Sequence, residues 1–173
     1  MRDKRLQIAG AVAVVAVASV VATTAVAGGD KGLRTRLTGF QEVPAVSTDA
    51  SGKFRAKLRT SSQEIKYELS YANLTGAVQQ AHIHVGQRDV NGGVSAFLCS
   101  NLAGAPAGTQ SCPAAPATIT GTITPAQVIG PAAQGIDPMQ FDELVGAIRA
   151  GVAYANVHSE TFPGGEIRGQ LND

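Results

Sequence analysis

The sequence predicts an all-β domain, an antiparallel β-sandwich with one short helix. Three observations predict it. Apolar and polar residues alternate over many short runs, most cleanly in 65–71, where Ile65, Tyr67, Leu69 and Tyr71 share one face and Lys66, Glu68 and Ser70 the other. A period of two is the signature of a half-buried strand. Turn residues punctuate these runs at Asn73-Leu74-Thr75-Gly76, Asn91-Gly92-Gly93 and Pro163-Gly164-Gly165. One stretch has helical spacing instead, with Phe141, Leu144, Val145 and Ile148 at i, i+3, i+4 and i+7.

The N-terminus reads as an export signal. Arg2, Lys4 and Arg5 precede an apolar run from Ile8 to Val21, and Ala25-Val26-Ala27 supplies small residues for cleavage, placed after Ala27. The run is rich in Ala and Val with Ser and Thr, weakly apolar for a membrane anchor, so contact with the membrane is expected only if this segment stays uncleaved. Residues 1–27 are therefore set aside as a signal peptide. Residues 28–32 read as a flexible leader and 33–173 as a single domain, long enough to bury a core. The protein is expected to be secreted, periplasmic or at the cell surface.

The elements follow in order. Residues 33–37 alternate and begin the first strand, which Pro44 limits to an edge or turn. In 53–59, Phe54, Ala56 and Leu58 oppose Arg55, Lys57 and Arg59. After strand 65–71 comes a strand around His82 and His84, then one over 94–99. The stretch 100–117 is dominated by small residues and Pro and reads as a loop. A short strand surrounds Ile119 and Ile123. Asp137 as cap, Pro138 at the first helical position and Gln140 predict that the helix spans 137–150, with Gly151 ending it. Strands at 154–158 and 166–171 complete the set.

The chain holds 14 Lys and Arg against 13 Asp and Glu. Removing Arg2, Lys4, Arg5 and Asp3 leaves 11 and 12, a net charge of −1 beyond residue 27. In sequence the basic residues form no patch interleaved with aromatics, so nucleic acid is not an expected partner. There is no Gly-rich phosphate loop, no G-x-S-x-G and no H-E-x-x-H. The two cysteines, Cys99 and Cys112, flank the small-residue loop. In an oxidising compartment they are expected to form a disulfide, worth roughly 3 kcal/mol in the chain-entropy model. Nothing pairs them at the C-x-x-C spacing of a zinc site.

All three histidines lie in two strand-like stretches, His82 and His84 in one and His158 in the other. His82 and His84 are i and i+2, hence on one strand face, opposite to Ala81, Ile83 and Val85. In the second stretch Ala153, Ala155 and Val157 take the apolar side, leaving His158 with Tyr154 and Asn156. If the strands are neighbours, the three imidazoles form a candidate site for copper or zinc, with a position left for water or substrate. Such a site admits a copper carrier or a redox activity such as superoxide dismutation, although no catalytic residue can be named. The competing reading is that the histidines are structural, in a non-enzymatic extracellular binding or matrix module with a protein partner. Glu166 and Arg168 share a strand face. A structural ion pair of Arg168 with Glu42 is the favoured reading there, and support of a histidine by Glu166 the weaker one. Tyr67 and Tyr71 read as core. Asn73-Leu74-Thr75 matches an N-glycosylation acceptor.

Several segments, in this order, resemble the CHRD domain family. They are 37–44 with its Gly39-Phe40-Gln41-Glu42 core, 71–76, 81–84 with His82 and His84, 154–159 with His158, and 163–171 with Pro163-Gly164-Gly165-Glu166-Ile167-Arg168. The resemblance runs from about Leu33 to Leu171. It implies an extracytoplasmic β-sandwich, immunoglobulin-like or superoxide-dismutase-like. The family pattern covers Glu42, His82, His84, His158, Glu166 and Arg168, whereas the Cys99–Cys112 loop and residues 131–135 look like local insertions. If the signal reading is right, the intact mass of the exported protein corresponds to a chain beginning at Gly28. A full-length species embedded in membrane would refute it.

Overall fold

A computed structural model describes residues 31–171. The signal segment, cleavage site and most of the leader lie outside the described residues. Eight strands are present: β1 (Lys31–Thr38), β2 (Ser51–Arg59), β3 (Glu64–Ala72), β4 (Val78–Val85), β5 (Gly93–Ser100), β6 (Ala117–Ile123), β7 (Ala153–Ser159) and β8 (Ile167–Gln170). Each of the eight runs with period two forms its strand. The first begins two residues earlier than expected, at Lys31. One helix, α1 (Phe141–Arg149), lies between β6 and β7. Among the described residues no helix is long and apolar enough to cross a membrane.

The strand pairing bears out the all-β antiparallel class without establishing two packed sheets. All eight strands join one antiparallel sheet in the order β5-β4-β7-β8-β1-β2-β3-β6, curled until it is nearly a barrel. Period-two alternation buries one face in either arrangement, so it cannot tell two packed sheets from one curled sheet. The two halves meet where β1 and β8 pair, at Thr38 opposite Arg168. Leu33, Leu37, Phe54, Leu58, Ile65, Leu69, Ile83, Val157 and Ile167 fill the inside, all buried, and α1 adds Phe141, Leu144, Val145 and Ile148.

No ladder joins the outer strands β5 and β6. Side chains bridge them instead. The Tyr67 hydroxyl donates to the Leu98 carbonyl of β5 at 2.8 Å. The Gln110 amide reaches the same carbonyl at 3.1 Å, the Tyr67 hydroxyl at 2.9 Å and the Thr120 carbonyl of β6 at 3.1 Å. Gly121 belongs to this closure, because a Cβ there would collide with the Tyr67 ring. The Cys99–Cys112 disulfide is formed and anchors the loop that carries Gln110. Asn101 reinforces it, donating to the Cys112 carbonyl and accepting from its amide.

The helix starts four residues later than predicted. Met139 has φ +70, a left-handed conformation that breaks a helix begun at Pro138. Gln140 still reaches back to the Asp137 amide at 3.0 Å, but as part of the preceding turn. The C-terminus matches expectation. Gly151 has φ +71, its amide binds the Ile148 carbonyl, and the Val152 amide binds that of Ala147.

The basic residues, scattered in sequence, gather in space. Register places Arg34 opposite Arg55 and Arg36 opposite Lys53 on the outer face of β1 and β2. The aromatic residues of these strands turn inward.

Removing the Tyr67 hydroxyl should loosen the closure between β5 and β6. Tyr67→Phe leaves the Leu98 carbonyl with Gln110 alone and is expected to cost about 1–2 kcal/mol in urea unfolding. An unchanged midpoint would show that the bridge adds nothing.

Candidate metal centre

The site is built on β4, β7 and β8. Antiparallel pairing sets His82 opposite Asn156, His84 opposite Tyr154 and Gln80 opposite His158. On the other side of β7, Asn156 faces Arg168 and Tyr154 faces Gln170. Residues directly opposite share a face, so histidines, tyrosine, asparagine and arginine lie together on the outer side of the barrel wall. That face is nevertheless covered. All seven residues of β7 are buried, and His82, His84 and His158 are only 2%, 8% and 6% exposed.

The covering segments are the turns after β4 and after β7. The Gly92 carbonyl lies 2.9 Å from His84 Nδ1, and the Pro163 carbonyl 2.8 Å from His158 Nδ1. A carbonyl only accepts, so both rings carry their proton on Nδ1 and present the Nε2 lone pair. His158 Nε2 therefore accepts from His82 Nδ1 at 3.2 Å. This leaves Nε2 of His82 and Nε2 of His84 buried with no partner of hydrogen-bonding geometry. One nitrogen from each of the three rings lies within 4.8 Å of the others.

The rings are held from the sides. His82 packs edge-on against Phe97 at 4.3 Å between centroids. His84 stacks on Tyr154 at 4.8 Å with planes 4° apart, and from the β8 side the Arg168 guanidinium lies 3.4 Å from the centre of the same tyrosine ring. Arg168 also donates to the Gln87 and Val90 carbonyls at 2.9 and 3.0 Å, tying the turn after β4 to the sheet. It thus makes no contact ion pair with Glu42, because Tyr154 and the turn carbonyls take up the guanidinium.

Glu42 sits over Gly165, where a Cβ would come within 2.6 Å of its carboxylate. Gly165 also has φ +127, so glycine is required there twice over. Burial pushes the Glu42 carboxyl up to about 7, against the pull of Arg168. Glu166 does not touch a histidine among the described contacts. Its carboxylate accepts from the Thr48 hydroxyl at 2.7 Å, the Thr75 hydroxyl at 2.7 Å and the Thr75 amide at 2.9 Å. Burial raises this carboxyl, but hydrogen bonds from Ser159, Thr75 and Thr48 outweigh it and hold Glu166 below the usual carboxylate range. Thr75 of the glycosylation triplet is thus engaged in the fold.

Burial, together with the neighbouring imidazoles, holds His82 down to about 2. Burial holds His84 down to about 4, over the opposing Gly92 and Asn156 contacts. Burial lowers His158 as well, despite the Pro163 carbonyl. All three rings are neutral at physiological pH, the form that can coordinate a metal. Tyr154 and Asn156 were visible in sequence as neighbours of His158. The Gly92 and Pro163 carbonyls were visible only as turns, since a backbone acceptor has no sequence signature.

A curled antiparallel β domain with a buried histidine cluster on its outer wall defines the class. Residues 33–171 match the CHRD domain family model, and the chain belongs to that family. No curated protein and no solved structure matches the chain.

The titrations oppose one another. Each histidine stays neutral in the fold while the unfolded chain takes up a proton below about 6.5, so stability falls as pH drops through that value. Glu42 acts with the opposite sign, losing stability as pH rises from 4.5 to about 7. Three histidines outweigh one carboxyl, so metal-free protein should gain stability from pH 4.5 to 6.5. Glu42→Gln should steepen that rise. Urea midpoints measured with chelator across this range check it, and a flat or falling profile would contradict it.

Proposed function

We propose that this CHRD domain is an exported metal-binding module that holds copper or zinc through His82, His84 and His158. One observation carries the reading: Nε2 of His82 and Nε2 of His84 are buried without partners, and His82 Nδ1 and His158 Nε2 stand only 3.2 Å apart. Two ligands on a tetrahedral ion with 2.0–2.1 Å bonds lie about 3.3 Å apart, so His82 Nδ1 and His158 Nε2 stand at ligand spacing once the His82 proton moves to its Nε2. The widest spacing in the cluster, 4.8 Å, calls for closure by about 1.5 Å shared among the side chains. Neutral imidazoles suit copper and zinc. Both cysteines are in the disulfide, so no thiolate competes. That disulfide also fits an oxidising compartment.

The covered cluster supports retention of a metal rather than turnover. Redox activity such as superoxide dismutation would require the turns at Gly92 and Pro163 to open. A second reading has its own support: each ring already makes one hydrogen bond, as in a non-enzymatic binding or matrix module with structural histidines.

Calorimetry with copper(II) and zinc(II) at neutral pH separates the two. His82→Ala and His158→Ala should each weaken binding on the order of 100-fold, while Glu166→Gln should stay within about tenfold. A folded triple alanine variant that binds like the parent would establish the structural reading instead.

A further inference from the structure

We propose that the outer face of β1 and β2 binds an anionic polysaccharide. This surface is separate from the histidine cluster. Arg34, Arg36, Lys53 and Arg55 are all exposed, and cross-strand register sets them in a block of two opposite pairs. Strands lie about 4.8 Å apart and alternate residues about 7 Å along a strand, so the four cations occupy a rectangle of those dimensions. On β3, exposed Lys66 faces exposed Lys57, and the one acid directly opposite this block is Glu68 beside Arg55. None of the four core cations is paired with a carboxylate among the described residues. Like charges placed opposite each other are unfavourable in a sheet. Six of the eleven Lys and Arg beyond residue 27 nonetheless crowd onto this face of a domain whose net charge is −1.

The surface is also hollowed. A depression of about 580 Å³ has Ala72, Pro116 and Ala117 in its lining and Arg36, Lys53, Thr38, Ser51, Ser70 and Thr118 as its polar groups, and a further hollow of about 230 Å³ lies between Arg34, Arg36, Lys53 and Arg55. Cations alternating with hydroxyls suit a polymer that carries both anionic groups and hydroxyls. The rings beneath, Phe54 and Tyr71, are 0% and 2% exposed, and the Tyr71 hydroxyl is spent on the Pro113 carbonyl. The face therefore offers no platform for stacking bases. The strands themselves present no large exposed apolar side chain for insertion into a membrane, and Phe40 just past β1 is a single exposed ring at their edge. Its chemistry is electrostatic and polar, which selects a sulfated or carboxylated glycan.

The test uses fluorescent dextran sulfate as probe, with duplex DNA and anionic lipid vesicles as competitors. Purified protein should bind the probe at low salt and release it at high salt. Combined Arg34→Ser, Arg36→Ser, Lys53→Ser and Arg55→Ser should weaken binding at least about tenfold. Arg149→Ser, on α1, should change it less than about twofold. Circular dichroism verifies folding, and if the fourfold variant unfolds, Arg36→Ser with Lys53→Ser replaces it with loss in the same direction. Absence of binding at low salt, or a folded variant that binds like the parent, would overturn the proposal. Competition by DNA or vesicles at lower concentration than unlabelled dextran sulfate would overturn the polysaccharide assignment.

Discussion

Strand β7 is buried along all seven residues, on both faces, and the rest of the structure answers to that fact. Its inner face, Ala153, Ala155 and Val157, meets the core as any sheet face does. Its outer face carries Tyr154, Asn156 and His158, which cannot be buried without partners. The flanking strands supply them in register: His82 and His84 from β4, Arg168 and Gln170 from β8. Turns then close over the top, and their carbonyls become acceptors for the polar groups below. Gln170 shows the same device, donating to the Gly86 and Gly151 carbonyls at 3.0 and 2.9 Å. The polar layer is thus a second core, held by hydrogen bonds and ring stacking instead of apolar contact.

Much of this was legible in the sequence because β structure writes itself with period two. The eight strands and the core face of each follow from alternation, and the shared side of the three histidines follows once β4 and β7 are paired. Buried depth was not legible. A polar residue on the outer side of a strand reads as solvated, and only the folded turns reveal that His84 and Arg168 are covered. Pairing was also hidden. The contact between β1 and β8 joins residues far apart in sequence, and it turns two would-be sheets into one. The same blindness applies to charge: Arg36 and Lys53 are 17 positions apart in the chain and directly opposite in space. The helix start shows a different limit, since Asp137, Pro138 and Gln140 carry every local sign of a cap, yet the left-handed turn at Met139 displaces the first turn.

Arg168 links the two cores. It is 1% exposed and among the largest fully buried side chains, a costly place for a permanent charge. Its environment meets that cost without a direct carboxylate contact. The Tyr154 ring offers its π face, the Gln87 and Val90 carbonyls take two hydrogen bonds, and the raised carboxyl of Glu42 stands further off. Because Tyr154 carries Arg168 on one side and His84 on the other, the cation braces the tyrosine against which the histidine is stacked. The turn that Arg168 ties down is the one that supplies Gly92 to His84. One buried cation thereby fixes both the ring plane and the tautomer of a proposed ligand.

The proposed metal would relieve a standing cost in the cluster. A buried acceptor without a partner costs about 1–3 kcal/mol, and the cluster contains two, on His82 and His84. Against a typical domain stability of about 5–15 kcal/mol this is a large standing cost. A purely structural role would be served better by groups that satisfy one another, as Glu166 does with Thr48 and Thr75 a short distance away. The same fold satisfies the Glu166 carboxylate nearly completely, yet leaves the two imidazole nitrogens unmatched along with Asn156 Oδ1 and Glu42 Oε1. Unmatched imidazole nitrogens close to a third ring are groups that a bound cation would satisfy. The Nδ1 proton of His84, held by the Gly92 carbonyl, keeps that ring from turning its lone pair elsewhere, so its cost persists until something electrophilic removes it.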